Sequence, residues 1–350
     1  MSTLYAEHPD VVIEHHLDDD AERCLADDVL DGLTRPFKEL PPKHLYDERG
    51  CELFDRITEL PEYYPTRAER EILEREAAAL VAETGAMELV ELGSGTAAKT
   101  RVLLDAMAAA GRLRRYVPLD VAESVVRGCA EALVEEYPGL RVHGVIGDFE
   151  RHLGRVPPPV AGEPRLVALL GGTIGNFLPG IRRRLLREIA ALLGPADRLL
   201  LGTDLVKDRA VLEAAYDDAA GVTAEFNRNV LRVLNRELDA DFPLDRFAHV
   251  ARWDASSEWI EMRLRALEAC AVRIGALGLD VRLAAGEEIR TEISAKFTRA
   301  RVAEDCAAAG LRLAGWQLDA QERFALSLLA PPDFRPTSVR RARFQGLWDA

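Results

Sequence analysis

Four short stretches hold the residue types from which a binding or transfer site is made. "VELGSGTAAKTRVLL" puts Gly93 and Gly95 in a turn between an apolar run and a helical pattern, where missing Cβ atoms let backbone N–H groups approach a ligand. Asp120 closes "YVPLD", Asp148 and Phe149 close "RVHGVIGDF", and "GGTIGNF" brings Gly171, Gly172, Gly175 and Asn176 directly after "RLVALL". One carboxylate can accept from both hydroxyls of a ribose. A second, beside an aromatic ring, can accept from an exocyclic amine while the ring stacks on a base. Three successive strand ends are thus aimed at one nucleoside. The competing structural roles are helix capping for Asp120 and Asp148 and a turn position for Asn176.

Two cofactors fit this order. Gly93, Gly95 and Ala98 satisfy the GxGxxA pattern of a dinucleotide site, and S-adenosylmethionine sites use a similar turn after an acidic residue, here Glu91. In the second case a methyl-accepting substrate belongs at "GGTIGNF". That stretch lacks the Asn-Pro-Pro-aromatic motif of many methyltransferases that act on planar nitrogens, which disfavours bases and glutamine side chains as acceptors.

The elements that must position these residues follow from periodicity. "TRAEREILEREAAALVAETGA" predicts a helix over about 67–84, with Thr66 and Glu69 spaced as a capping box and Gly85 as the stop. Short apolar segments then alternate with helical patterns, the signature of a parallel sheet covered on both faces. From Lys207 to about Ala295 the rhythm changes to a helical stretch followed by antiparallel strands. The expected division is a second lobe of 10–66 with 207–296, a core of 67–206 with 297–331, and a tail of 332–350.

Composition narrows the partners. The 350 residues carry 45 Lys and Arg against 59 Asp and Glu, a formal charge of −14, whereas a nucleic-acid partner needs a concentrated basic face. The five cysteines are scattered without a CxxC pair, so we expect reduced thiols and no metal site. With no apolar run near the ~18 residues of a membrane span and no signal-like start, the expectation is a cytoplasmic monomer acting on a small molecule.

Several blocks together closely resemble the bacterial histidine Nα-methyltransferases of ergothioneine biosynthesis. They are "LPPKHLYDERGCELFDRITELPEYYPTRAE", "ELGSGTAAKTRVLLDAM", "GGTIGN", "LLLGTDLVKD", "AYDDAAGVTAEFNRNVLRVLNREL" and "AAGEEIRTEISAKF", in matching order from about Leu30 to Leu329. The resemblance implies an α/β fold: a Rossmann-like class I methyltransferase sheet, with an α+β substrate-binding lobe formed by the N-terminal segment and an insertion. It implies three methyl transfers from S-adenosylmethionine to the α-amino group of L-histidine, giving hercynine and S-adenosylhomocysteine. By it, Gly93, Lys99, Asp120, Asp148, Phe149 and Gly171 line the cofactor, with Lys99 available to the methionine carboxylate. Tyr46, Asn176 and Tyr216 hold the amino-acid head, and Tyr63, Met262, Glu292 and Ser294 surround the imidazole.

The chemistry of those residues agrees with that division. Phenol hydroxyls of Tyr46 and Tyr216 can hold an α-carboxylate without a buried cation. Glu292 and Ser294 lie two apart on a predicted strand and share a face, so a carboxylate and a hydroxyl can meet both polar edges of one imidazole. Asn176 and Tyr46 are the candidates at the reacting amine, Asn176 orienting it through its side-chain oxygen, and the open "GGTIGN" backbone is expected to leave room for the methylated intermediates. The alternatives are an Nα-methyltransferase of another aromatic amino acid and, on the glycine turn alone, an NAD-dependent oxidoreductase.

Overall fold

The computed structural model describes residues 2–5, 8–17, 20–95, 97–332. Its strands are β1 (Ser2–Tyr5), β2 (Val11–His15), β3 (Lys38–Glu39), β4 (Glu88–Leu92), β5 (Arg115–Asp120), β6 (Arg141–Ile146), β7 (Arg165–Leu169) and β8 (Arg198–Asp204). There follow β9 (Phe247–Asp254), β10 (Trp259–Ala266), β11 (Cys270–Ile274), β12 (Leu279–Leu283), β13 (Glu288–Ala295), β14 (Arg312–Leu318) and β15 (Phe324–Ala330). The helices are α1 (Asp20–Thr34), α2 (Glu48–Glu59), α3 (Pro65–Thr84), α4 (Arg101–Ala109), α5 (Glu123–Glu136), α6 (Phe149–His152), α7 (Pro179–Ala191), α8 (Arg209–Tyr216), α9 (Val222–Glu237) and α10 (Arg299–Ala308).

A nine-stranded sheet in the order β1-β2-β6-β5-β4-β7-β8-β15-β14 forms the core. From β2 to β8 its neighbours are parallel, and β15 closes antiparallel on β8. Alternate side chains of β4 serve opposite faces: Leu89 packs with Ile72, Leu104 and Leu133 of α3, α4 and α5, while Val90 and Leu92 pack with Leu185 of α7 and Val302 of α10. Because β4 is flanked by β5 on one side and β7 on the other, the chain reverses direction across the sheet there, and a crevice opens at the carboxyl ends of these strands.

The second sheet runs β3-β13-β10-β9, with β13, β10 and β9 antiparallel and β3 parallel to β13. Its core joins α1, α2 and α9 through Val29, Leu53 and Leu231 to Leu264 and Ile289. One expected boundary moves. Val11–His15 pairs with β6 in the large sheet and buries Val11 and Ile13 in that core, because the apolar alternation of "VVIEH" supplies an edge partner for β6. From Leu25 to Tyr64 the buried apolar residues of that segment pack with the second sheet, while Leu17 packs on the core of the large one. The tail from 333 onward lies outside the described residues.

The start of α3 also differs from expectation. Pro65 occupies the first helical position, Tyr64 is the N-cap without a side-chain bond, and Thr66 does not cap. Glu69, freed from a capping box, points inward and is fully buried. The helical stretch after Lys207 is two helices, broken where Asp218 accepts from the backbone of Val222 and Thr223 and Gly221 takes φ +73°.

The lobes meet where "GGTIGN" runs against β13. A Cβ on Gly175 would lie 2.7 Å from the carbonyl oxygen of Ala295 and 3.2 Å from its nitrogen, so this glycine is bare to admit a strand, not a substrate. Gly175→Ala is expected to force this contact apart at a cost of about 1–3 kcal/mol. A urea-unfolding midpoint equal to that of the parent chain would contradict it.

Candidate active site

Gly93 leaves β4 with φ +75°, and a Cβ there would stand 3.7 Å from the ring of Phe149, so the turn stays open beside an aromatic edge. Gly95, at φ +48°, donates its N–H to Asp120 Oδ2 at 2.9 Å, and Ala122 donates to Oδ1 at 3.0 Å. The half-buried Asp120 carboxylate is therefore held rigidly at the end of β5, with a second lone pair on each oxygen still free. Asp148 caps α6, accepting from the Glu150 N–H at 2.8 Å, which is the structural role weighed for it above. Glu91 is buried below the turn, accepts from the hydroxyls of Tyr116 (2.6 Å) and Thr100, and is pushed up to about 7 by burial.

Lys99 is not free: it pairs with Glu69, whose carboxylate also accepts from the Gly171 N–H at 2.8 Å. Glu69 thereby ties α3, the turn after β4 and the turn after β7 together. Sequence reasoning missed this role, although a signal exists. Glu69 shares a helical face with the buried Pro65, Ala68, Ile72 and Leu73, where a solvated carboxylate has no place.

On the opposite wall Tyr46 packs edge-on against Phe54 (5.5 Å between ring centres) and Phe226 (5.3 Å), and Tyr63 packs edge-on against Tyr216 (6.3 Å). Burial, reinforced by the Glu292 charge and neighbouring tyrosines, raises the phenols of Tyr46 and Tyr63 well above their ordinary value, so both are neutral. Met262 and Ser294 are buried on β10 and β13. The Tyr216 hydroxyl is already engaged on both sides: it donates to Ser294 Oγ at 2.7 Å and accepts from Lys296 Nζ at 2.9 Å. It is thus joined to Ser294 and Lys296 while it lines the cleft.

Lys296 has no solvent exposure; it donates to Ser294 Oγ at 2.8 Å and pairs with Asp204 at 2.9 Å. Lys207 pairs with the same carboxylate at 2.6 Å, its own ammonium lowered to about 8 by burial. Tyr64 Oη sits 2.9 Å from both Asp204 oxygens. The adjacent tyrosines therefore part company: Tyr63 faces the cleft and Tyr64 anchors beneath it. Lys296 also escaped the sequence reading, though it continues the 292, 294, 296 alternation.

Glu292 is a buried acid at the end of the cleft that β10 and β13 line. Its carboxyl is pushed up to about 7 by burial, against the pull of Lys296, and it has no hydrogen-bond partner among the described residues. The thirteen residues that the resemblance assigns to cofactor or substrate all line one cleft of about 670 Å³: Gly93, Lys99, Asp120, Asp148, Phe149 and Gly171 from the cofactor set, and Tyr46, Tyr63, Asn176, Tyr216, Met262, Glu292 and Ser294 from the substrate set. That volume suits a nucleoside together with an amino acid. Among the described residues no three His, Cys, Asp or Glu side chains are grouped to hold a metal ion, and no helix is long and apolar enough to cross a membrane.

Comparison with known proteins adds a family to this geometry. Residues 25–331 match the model of a histidine-specific, SAM-dependent methyltransferase. The chain is 55% identical over 310 residues to histidine N-alpha-methyltransferase of Mycolicibacterium smegmatis, covering 89% of this chain and 96% of that one. It is 53% identical over 321 residues to the protein of the same name from Mycobacterium tuberculosis, covering 91% and 99%. A shorter likeness, 37% over 203 residues, joins 57% of this chain to 23% of ergothioneine biosynthesis protein 1 of Neurospora crassa. With a nucleoside-sized turn at one end of its cleft, an unpartnered carboxylate at the other and this match along nearly its whole length, the chain belongs to the histidine-specific, S-adenosylmethionine-dependent methyltransferases.

Proposed function

We propose that this protein methylates the α-amino group of L-histidine three times to give hercynine, the first step of ergothioneine biosynthesis, acting as a cytoplasmic monomer. The observation that carries the reading is the pair at the deep end of the cleft. The unpartnered Glu292 carboxylate and the Ser294 hydroxyl stand two residues apart on one strand and match the two nitrogens of an imidazole.

The residues at the other end fit S-adenosylmethionine. Gly93 and Gly95 leave the backbone bare, Asp120 keeps lone pairs for ribose hydroxyls, and Phe149 and Asp148 offer a ring and an acceptor. Lys99 spends one of its donors on Glu69 and lies 3.5 Å from where a Gly171 Cβ would be, leaving donors for a carboxylate at that turn. When bound, S-adenosylmethionine supplies the methyl group on an electrophilic sulfonium.

The chain's own task is to hold the amino group as a neutral amine in one orientation. Asn176, half-buried at the end of the turn after β7 and without a side-chain hydrogen bond among the described residues, is assigned to orient that amine, with Tyr46 beside it. Tyr63 and Met262 pack on the ring, and Tyr216 supports Ser294. No strong base is assigned, since the proton of the α-ammonium can pass to water.

Incubation with S-adenosylmethionine and each of the twenty amino acids, read by mass spectrometry, tests the assignment. Histidine should gain three methyl groups, and methylation of another aromatic amino acid in its place would refute the histidine reading. Glu292→Ala should lower the preference for histidine over phenylalanine by about tenfold or more; unchanged preference would exclude Glu292 as a ring reader. Asn176→Ala should slow methylation about a hundredfold while calorimetry finds S-adenosylmethionine affinity nearly unchanged. Equal loss of cofactor affinity would contradict its placement at the amine.

A further inference from the structure

The hydrogen-bond count around Lys296 determines which way the Ser294 hydroxyl points. An ammonium has donors and no acceptor, and Lys296 gives one to Tyr216 Oη (2.9 Å) and one to Ser294 Oγ (2.8 Å), while its charge pairs with Asp204 Oδ2 at 2.9 Å. One lone pair of each hydroxyl is therefore taken. Tyr216 and Ser294 lie 2.7 Å apart and share one further proton. The phenol, far more acidic than an alkyl alcohol, is the better donor, so Tyr216 gives its proton to Ser294. Ser294 Oγ then has both lone pairs filled, and its own O–H is left for the cleft it lines.

Two residues away, Glu292 is the opposite: its carboxyl keeps an accepting oxygen whether or not it carries a proton, and among the described residues it has no hydrogen-bond partner. The far end of the cleft thus offers one donor and one acceptor. An imidazole matches that pair only when neutral, with one N–H and one bare nitrogen; an imidazolium carries two N–H groups and would set one against the Ser294 proton. We infer that Lys296 is a positioning residue that fixes Ser294 as a donor, so that the site admits the histidine ring neutral and as a single tautomer. The inference rests on the histidine reading of the site.

The titratable and charged groups around this end are Asp204 and Lys207 from the end of β8, Tyr216 from α8, His249 of β9 against the Tyr216 carbonyl, Tyr63 and Tyr64 ahead of α3, Tyr46 ahead of α2, and Arg290, Lys296 and Glu292 itself from β13 and its end. Any of them, and the substrate's own α-amino group, can impose a pH dependence. A comparison ligand cancels these contributions. The 1,2,4-triazol-3-yl analogue of histidine keeps an N–H and a bare nitrogen but takes no ring proton near neutrality.

The test is calorimetric binding of both ligands to the full chain with S-adenosylhomocysteine present, at about pH 7.5 and about pH 5.5. For the parent chain the ratio of the histidine Kd to the triazole Kd should rise about tenfold on acidification, because a ring of ordinary pKa near 6.5 is then about nine-tenths protonated. In Lys296→Met the freed Ser294 hydroxyl can rotate to accept, and the rise should shrink to about threefold or less; Asp204 keeps its ion pair with Lys207, so no charge is stranded. Ser294→Ala, a smaller change, should flatten the ratio in the same way and provides the comparison if the lysine variant does not fold. A flat ratio in the parent chain overturns the inference while leaving the histidine reading intact. A full tenfold rise retained in a folded variant also overturns it, since general damage weakens both ligands alike. Failure of the parent chain to bind histidine at either pH overturns the reading and the inference together.

Discussion

Asp204 is the carboxylate on which the two lobes converge. It ends β8 of the large sheet, and it is met by Lys296 leaving β13 of the small sheet, by Lys207 from its own loop and by Tyr64 from the segment that enters α3. Burial alone would raise its pKa. The two ammonium groups instead hold it below the ordinary carboxylate range, so it remains charged in the interior. Removing both ammonium groups would leave this buried charge uncompensated, at a cost of about 3–5 kcal/mol, which makes the relative placement of the lobes hard to alter.

That fixed placement makes the cleft one site. Its cofactor end is built from strand ends of the large sheet, where the glycine turn after β4 and Asp120 after β5 lie side by side. Its other end comes from β10 and β13 of the small sheet, with Tyr46, Tyr63 and Tyr216 closing the wall. Glu69 does at the cofactor end what Asp204 does below the substrate end, binding Lys99 and the Gly171 N–H from a helix buried beneath both. A Cβ on Gly202 would fall 2.3 Å from the Glu69 carboxylate, so β8 itself gives way to this acid. The two buried acids are joined through α3, which follows Tyr64 and carries Glu69.

Much of this was legible in the sequence, for reasons that can be stated residue by residue. The alternation of apolar runs with helical patterns reports directly on side-chain burial, so the parallel sheet and the Gly93 turn could be read. Glu292 and Ser294 could be paired because a strand repeats every second residue. What could not be read was partnership across long sequence separations. Glu69 has the spacing of a capping box, and only the fold reveals that its carboxylate meets Lys99 and Gly171 instead. Gly175 looks like room for a substrate, yet its bare face receives the backbone of Ala295. Tyr216 offers a free phenol on paper, and in the fold its hydroxyl is already claimed by Lys296 and Ser294.

The most direct test of this ring-reading geometry is a crystal structure of the chain with L-histidine and S-adenosylhomocysteine bound. The imidazole should lie between the Glu292 carboxylate and the Ser294 hydroxyl, with Lys296 still paired with Asp204 and bonded to Tyr216 and Ser294. A ring seated away from Ser294, or a Tyr216 hydroxyl pulled from Ser294 to the substrate carboxylate, would contradict it.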